Sequence, residues 1–309
     1  MSHQTMMWIA FGILVPVVLA LDLGVLQRKA HTIKTKEALL WTAAYVTLAL
    51  IFAACVYFIL APDKSLTFLT GYIVELSLSM DNLFVFLLIF ATFAVPSNYQ
   101  HRVLFWGIIG AVVMRGIFIG SGIVILEKLE WVIYLFGAFL VYTGIRIAVK
   151  RDGEINPQKN PILRLCCRYL PMTDVYHAGK FFIRDKGRFI GTPLFLVLIV
   201  VETTDIVFAV DSIPAILAIT RDPFLVYTSN IFAILGLRSM FFALAAATKK
   251  LAYFNYGLAA ILALLGIKML GSGFFHVPVP ISLGAVVGIL ALSAVASLVW
   301  PPGKNLINK

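Results

Sequence analysis

One apolar stretch of the chain reads Gly71-Tyr-Ile-Val-Glu75-Leu-Ser-Leu-Ser-Met-Asp81-Asn82-Leu-Phe-Val-Phe86, with two carboxylates inside it. The apolar run around it extends over about 66–95, which exceeds the roughly 20 residues that a helix needs to cross a bilayer. An intramembrane carboxylate costs about 2.5–3.5 kcal/mol on insertion scales, and such residues mark functional sites by default. The stretch therefore predicts a transmembrane helix that carries function.

The composition of the whole chain agrees with a membrane protein. Of the 309 residues, 61% are hydrophobic and 13% are charged, whereas a soluble domain is about 45–50% apolar and about 25% charged. Disordered, collagenous and coiled-coil proteins are excluded by the same values. The three cysteines form no CxxC pair, so neither a zinc finger nor a disulfide framework is indicated.

Eight further apolar runs accompany the first one. Together they predict an all-α polytopic membrane protein with about nine transmembrane helices. The predicted spans are at about 7–26, 38–61, 66–95, 101–126, 130–149, 191–219, 223–246, 251–271 and 278–300.

The basic residues predict the orientation. With the N-terminus outside, about 19 Lys and Arg residues lie in or beside the predicted cytoplasmic loops and three lie outside (Lys64, Lys128 and Arg221), as the positive-inside rule requires. We therefore expect an external N-terminus and a cytoplasmic C-terminus. The net charge of +10 then reflects basic cytoplasmic loops and indicates no nucleic-acid partner.

The long basic loop at 150–190 leaves two interpretations open. Its basic and apolar stretch at 162–169 is typical of an interfacial helix that binds anionic membrane lipid. A regulatory or partner-docking segment would have the same composition, and the sequence identifies no protein partner.

The pattern of the third span recurs in the sixth. Each has a carboxylate, five residues, a second carboxylate and a small polar residue, over 75–82 and over 205–212. Arg115 in the fourth span corresponds to Arg238 in the seventh. Spans 3–5 and 6–8 are thus predicted to be copies of one three-helix unit. Because the unit has an odd number of crossings, the second copy is inverted, a plan common in secondary transporters.

This repeat predicts five parts of the chain. They are two peripheral helices at 1–65, repeat 1 at 66–149, the cytoplasmic loop at 150–190, repeat 2 at 191–271, and a final helix with a short cytoplasmic tail at 272–309.

Five intramembrane carboxylates and a neighbouring amide form the predicted metal-binding set. Its members are Glu75, Asp81, Asn82, Glu202, Asp205 and Asp211. Additional candidate ligands are Met80, Ser212 and the carbonyl of Val210.

Arg115 and Arg238 are candidate charge partners of these carboxylates. Two arginines cannot neutralise five carboxylates, so structural ion pairing alone does not explain the set. A sixth intramembrane acid, Asp22, lies near Arg28 and Lys29, where a local salt bridge is the better interpretation.

Helix geometry limits how the carboxylates can converge. At 100° per residue, Glu75 and Asp81 point about 120° apart. Pro214 supplies no N–H to the Val210 carbonyl. We therefore expect the sixth span to unwind near Asp211, and freed carbonyls at the midplane of a membrane are themselves cation ligands.

The candidate ligands are hard oxygens, which suit Mg²⁺, Ca²⁺ or Mn²⁺ better than Cu⁺ or Zn²⁺. A thioether from Met80 would favour Mn²⁺. The simpler interpretation is that this side chain packs against other helices or faces lipid. The predicted spans contain no Ser/His/Asp arrangement, phosphate-binding loop or redox cysteine pair. We therefore expect neither an enzyme nor a permanently bound cofactor, and treat the divalent ion as a substrate.

At these motifs the sequence resembles the TerC family of integral membrane proteins, most closely its Alx-type branch. The matching segments are 71–86, 201–216, 228–238, 256–258 and 266–269, so the resemblance covers nearly the whole chain. One departure is Thr204, where the family pattern leads us to expect Ser.

The resemblance implies a protein of the bacterial inner membrane that acts in metal homeostasis, chiefly by Mn²⁺ efflux. It also carries the family's metal-coordinating role onto the acidic residues named above. A link to tellurium resistance comes with the family name, but a carboxylate cluster would repel the tellurite dianion.

The resulting hypothesis is a secondary transporter that exports divalent cations, Mn²⁺ preferred, by alternating access of the two units, with proton coupling. The alternative is a non-transporting membrane scaffold, an insertion factor or a tellurium-resistance component, in which the carboxylates form structural pairs.

Overall fold

A computed structural model of the chain describes residues 3–26, 35–121, 123–149, 171–185, 187–217, 219–248, 253–274 and 277–299. Within these ranges the protein forms nine α-helices and one β-hairpin. The helices are α1 (His3–Leu26), α2 (Thr35–Ile59), α3 (Pro62–Thr92), α4 (Ser97–Ser121), α5 (Ile123–Val149), α6 (Pro193–Leu217), α7 (Pro223–Thr248), α8 (Phe254–Leu270) and α9 (Val279–Val299). The antiparallel hairpin consists of β1 (Phe182–Asp185) and β2 (Arg188–Gly191).

The architecture confirms the predicted all-α polytopic membrane protein. Six of the helices, α1–α4, α6 and α7, are long and apolar enough to cross a bilayer, and the described parts of α5, α8 and α9 form three shorter apolar helices. Large apolar side chains face outward along the bundle, for example Ile13 on α1, Phe58 on α2 and Leu292 on α9. Such a surface fits hydrocarbon and would be unfavourable in water.

Two details of the predicted spans are wrong. The loop expected at 127–129 is helical, because α5 begins at Ile123. Its residues Glu127, Lys128 and Leu129 are all good helix formers. The charges of Glu127 and Lys128 therefore interrupt the apolar run without ending the helix. The hairpin within the predicted loop 150–190 was not expected. Gly187 occupies its turn with φ +82°, a conformation that favours glycine.

The helices pack across the boundary between the two predicted units. The main partner of α3 is α7, α4 packs on α6 and α7, and α5 packs on α8. Within each unit the helices contact one another far less. Whatever residues line the centre of the bundle are therefore supplied by both halves of the chain.

Glycines allow the closest of these approaches, between α5 and α8. A Cβ on Gly266 would lie 2.7 Å from the carbonyl oxygen of Gly137, and one on Gly144 would lie 2.8 Å from the carbonyl oxygen of Ala259. Small residues let transmembrane helices pack backbone against backbone. Lys268 and Met269 on α8 are thereby fixed in depth relative to α5.

An aromatic cluster attaches α1 and α2 to the rest of the bundle. Phe52 of α2 lies 4.7 Å from Phe232 of α7 and 5.2 Å from Phe68 of α3, measured between ring centroids. Phe11 of α1 contacts the same group at 5.9 Å from Phe52. The N-terminal helices thus cover one side of α3 and α7.

Asp222 connects three helices at one end of the bundle. It precedes Pro223, the first residue of α7, and its Oδ1 accepts a hydrogen bond from the Phe224 N–H at 3.0 Å, as a helix cap does. Lys64 Nζ of α3 lies 3.1 Å from its Oδ2, and Gln4 Nε2 of α1 donates to its Oδ1 at 3.3 Å. The starts of α1, α3 and α7 therefore lie on the same side.

The segment before α6 covers the opposite end. The Tyr176 hydroxyl donates to the Phe93 carbonyl at 2.8 Å, and Arg102 Nη1 donates to the Gly179 carbonyl at 2.7 Å. Burial raises the pKa of Tyr176, so its phenol stays protonated and able to donate. The end of α3 and the start of α6 therefore lie together.

These two sets of contacts place the loops as the alternation of spans requires. Predicted external segments 62–65 and 220–222 meet at one end, and predicted cytoplasmic segments 96–100 and 150–190 meet at the other. As a result, α3 and α6 cross the bundle in opposite directions, which an inverted duplication requires. The duplication itself, and which end faces the cytoplasm, remain predictions.

Candidate cation site

Arg115 of α4 is the centre of a buried polar network. Its side chain is 1% exposed, and its Nη1 donates to Glu75 Oε1 of α3, to Asn230 Oδ1 of α7 and, at 3.3 Å, to Ser212 Oγ of α6. Its Nη2 lies 3.7 Å from Asp205 Oδ1 of α6. One guanidinium thus connects four helices and lies between a carboxylate from each predicted unit.

A second ion pair lies further along α3. Asp81 is 7% exposed, and its Oδ2 lies 3.8 Å from Lys268 Nζ of α8. The Ser282 hydroxyl of α9 donates to the same oxygen at 3.4 Å. The Lys268 side chain is 21% exposed. This pair is therefore longer and more accessible to solvent than the pair between Glu75 and Arg115.

A cavity of about 30 Å³ lies between the two ion pairs. Its polar lining comes from Glu75, Asp81, Asn82, Ser212 and Lys268. Its apolar lining comes from Leu78, Phe208, Leu265 and Met269. Three elements of the predicted repeats, α3, α6 and α8, therefore supply the walls.

Two buried carboxylate oxygens at this cavity have no hydrogen-bond partner among the described residues. They are Glu75 Oε2 and Asp81 Oδ1. Ser79 Oγ, one turn from Glu75 on α3, also lacks a hydrogen-bond partner among the described residues. A buried oxygen without a donor costs free energy comparable to a lost hydrogen bond, more so when it is charged. A bound water or a cation would satisfy such oxygens.

The expected unwinding of the sixth span is wrong. Both α3 and α6 are continuous helices, and α6 runs through Pro214 to Leu217. No unwinding is needed to compensate the described carboxylates of α3 and of the Arg115 network, because they face two different basic residues. Arg115 meets Glu75 and Asp205, while Asp81, about 120° away on α3, meets a different cation, Lys268.

Glu202 is separated from the Arg115 network. Its carboxyl group packs against the backbone of α4, where a Cβ on Gly110 would lie 2.0 Å from Glu202 Oε1. The side chain is half-buried and does not line the cavity. Asp205, one turn further along α6, faces Arg115 instead.

The remaining predicted residues divide into buried groups and groups outside the described residues. Met80 packs against the apolar core and does not line the cavity. Val210 is buried in α6 and Arg238 in α7. The side chains of Asp211 and Asp22 and the segment 162–169 lie outside the described residues. Within the described part of the chain, no three His, Cys, Asp or Glu side chains are grouped closely enough to hold one metal ion.

Four site residues were not predicted from the sequence. They are Asn230, Lys268, Met269 and Ser282. Lys268 offered a signal, because a lysine inside an apolar span needs an acidic partner. Ser282 and Met269 offered none, since either residue fits anywhere in a transmembrane helix.

Comparison with known proteins finds membrane proteins that match nearly the whole chain. A membrane-bound relative from Escherichia coli K12, named "Putative membrane-bound redox modulator Alx", is 44% identical over 297 residues, covering 93% of this chain and 92% of its own length. An uncharacterised membrane protein of Myxococcus xanthus is 49% identical over 293 residues, covering 95% and 92%. No solved structure gives a significant match.

The family pattern matches residues 60–304, from the residue after α2 to beyond the end of α9. This region includes every residue around the cavity. The chain is therefore a member of the integral membrane protein TerC family.

Proposed function

We propose that this protein is a secondary transporter that exports divalent cations, with Mn²⁺ preferred, through the cavity between Glu75 and Asp81. The observation that carries the proposal is the pair of unpartnered, buried carboxylate oxygens at a cavity of about 30 Å³. A cavity needs roughly 10–15 Å³ to hold one water. This one is therefore the size of a single cation with little of its hydration shell.

The charge balance around the cavity favours a cation. Glu75, Asp81 and Asp205 contribute three negative charges, and Arg115 and Lys268 contribute two positive charges. Charge buried in a membrane is costly unless it serves transport or another function. These described side chains leave one negative charge in excess, which a bound cation would compensate.

The cavity lining supports a preference for Mn²⁺. Carboxylate, amide and hydroxyl oxygens suit Mg²⁺, Ca²⁺ and Mn²⁺ alike. Met269 is a lining residue, so its thioether is the candidate for the role that the sequence assigned to Met80. A thioether is a softer ligand and favours Mn²⁺ over Mg²⁺ and Ca²⁺.

Two further parts of the proposal rest on other grounds. The direction, export from the cytoplasm of a bacterial cell, comes from the resemblance to the TerC family. Proton coupling follows from charge, because an ion leaves a carboxylate more readily when a proton replaces it. Glu202 of α6, which is half-buried against α4, is a candidate for carrying that proton.

Flux through the purified protein tests the proposal. Proteoliposomes loaded with a Mn²⁺-sensitive dye should respond to external Mn²⁺, and Asp81→Asn should reduce the rate at least tenfold because it removes the anionic oxygen. Met269→Leu should keep Mn²⁺ flux but allow Ca²⁺ and Mg²⁺ to compete more strongly. Inside-out membrane vesicles should accumulate Mn²⁺ if the direction is export.

Asp63→Asn is the matched control. It removes a carboxylate from the same helix, at an exposed position outside the cavity, and should leave Mn²⁺ flux unchanged. Flux that persists in Asp81→Asn would refute this site. Absence of flux in the wild-type protein would refute transport.

The second candidate function is a non-transporting scaffold. The Arg115 network favours it, because one fully buried guanidinium joins four helices with the geometry of a structural tie. The scaffold accounts for Glu75 and Asp205. It does not account for the unpartnered Asp81 Oδ1 or for the cavity beside it.

A further inference from the structure

We propose that the Lys268 ammonium is a tethered cation, which occupies Asp81 when no metal is bound and which the metal displaces. This inference rests on the proposed transport of divalent cations. It assigns to Lys268 a positioning role that is distinct from binding the metal, since an ammonium group cannot be a metal ligand.

The contrast between the two ion pairs supports this assignment. Arg115 is 1% exposed and has four partners on three other helices, so it cannot leave its place without exposing several buried polar groups. Among the described side chains, Lys268 has one acidic neighbour, Asp81 at 3.8 Å, and its own side chain is 21% exposed. Lysine is a compact charge on a flexible four-carbon stem. Of these two cations, Lys268 is the one that can move.

The two carboxylate oxygens of Asp81 indicate how a metal ion would replace Lys268. Oδ2 is near Lys268 Nζ and accepts from Ser282, whereas Oδ1 is buried and has no hydrogen-bond partner in the part of the chain that the structure describes. The ammonium therefore compensates the charge of Asp81 without saturating the carboxylate. A divalent ion in the cavity could bind Oδ1 and, because like charges repel, would drive Lys268 away.

This exchange would serve the transport cycle. With Lys268 beside Asp81, the empty protein contains no unpaired carboxylate at that position and can change conformation at low electrostatic cost. Without Lys268, the metal would bind more tightly and the empty protein would return slowly. The ammonium thus weakens metal binding and speeds the return step.

Equilibrium binding of Mn²⁺ to purified protein, measured from the electron paramagnetic resonance signal of free Mn²⁺, tests the inference. Lys268→Gln should bind Mn²⁺ at least tenfold more tightly than wild type, equal to about 1.4 kcal/mol. In an Asp81→Asn background the same substitution should change the affinity less than twofold. In proteoliposomes, Lys268→Gln should lose net Mn²⁺ efflux but retain exchange of Mn²⁺ for Mn²⁺.

Lys64→Gln is the matched control, because Lys64 also pairs with an aspartate but lies at the end of the bundle. Its Mn²⁺ affinity and flux should equal those of wild type. Lys268→Gln purified with Mn²⁺ should be monodisperse, since the metal replaces the missing charge, and aggregation with and without Mn²⁺ would contradict the inference.

The remaining outcomes separate the inference from the proposed function. Unchanged or weaker Mn²⁺ binding by Lys268→Gln, in a wild-type protein that transports Mn²⁺, would overturn the role of Lys268 alone. Tighter binding by Lys268→Gln without any wild-type flux would refute transport and keep the tethered cation. Absence of Mn²⁺ binding by both proteins would refute both.

Discussion

At the scale of single residues, Arg115 and Lys268 compensate buried acids in different ways. The planar guanidinium of Arg115 presents several donors in a fixed geometry, and it reaches Glu75, Asp205 and Asn230 at once. Removing one member of such a buried network leaves another charge uncompensated, which costs about 3–5 kcal/mol. Lys268 contributes little geometric constraint, and it lines the cavity, whereas Arg115 does not.

The contact between Glu202 and Gly110 gives a prediction at this scale. Gly110→Ala should lower the free energy of unfolding by about 0.5–1.5 kcal/mol, because the added Cβ overlaps the Glu202 carboxyl group, the end of a flexible side chain that must leave its rotamer. Glu202→Ala should relieve the overlap, so the double variant should be more stable than the sum of the two single changes indicates. Thermal unfolding of the four proteins in detergent measures this coupling.

Gly120→Ala is the control in the same helix, because its Cβ would meet nothing within 4 Å. It should leave stability unchanged or raise it slightly, as alanine is the better helix former. Simple additivity of Gly110→Ala and Glu202→Ala would show that Glu202 does not occupy this space.

At the scale of helices, close packing of α5 on α8 positions the Lys268 side of the cavity. Gly266→Ala should lower the apparent melting temperature, with a cost of about 1–3 kcal/mol, because its Cβ would lie 2.7 Å from the Gly137 carbonyl oxygen. That neighbour is backbone and cannot rotate away. Gly288→Ala in α9, with nothing within 4 Å, should be neutral. Equal melting temperatures for the two variants would contradict the backbone contact.

The same scale shows what the sequence could predict. The approximate positions of the nine helices in the described part of the chain follow from apolar runs, since a bilayer demands a minimum length of apolar chain from each span. That Glu75, Asp81 and Asp205 need basic partners follows from the cost of burying charge. The partners of these acids do not follow, because they depend on which helices pack together. Asp81 meets Lys268, 187 positions along the chain by their numbers, through a contact that no local pattern encodes.

The expected unwinding near Pro214 shows a second limit. Local chemistry correctly identifies the Val210 carbonyl as lacking a helical donor, but one missing hydrogen bond does not end a helix that is packed along its length. In this structure α6 continues to Leu217. The carboxylates were expected to converge, whereas Arg115 faces Glu75 and Asp205, and Lys268 faces Asp81.

At the scale of the whole molecule, contacts between the halves fix the relative sides of the loops. The starts of α3 and α7 meet through Lys64 and Asp222, and the segment before α6 covers the turn between α3 and α4. The distribution of basic residues predicts which of these two ends is cytoplasmic. The contacts show which loops lie at the same end, and they do not depend on the basic residues. An experiment on orientation therefore tests only the prediction made from the charges.

Single cysteines at the two ends measure this orientation. In a background lacking Cys55, Cys166 and Cys167, a membrane-impermeant maleimide should label Asp63→Cys in intact cells, because this exposed residue begins α3 on the predicted external side. Arg188→Cys, exposed on β2, should be labelled only after the cells are permeabilised, because the positive-inside rule places the hairpin in the cytoplasm. The reverse labelling pattern would show that the predicted orientation is inverted. Labelling of both residues in intact cells would contradict the separation of the two ends by the bundle.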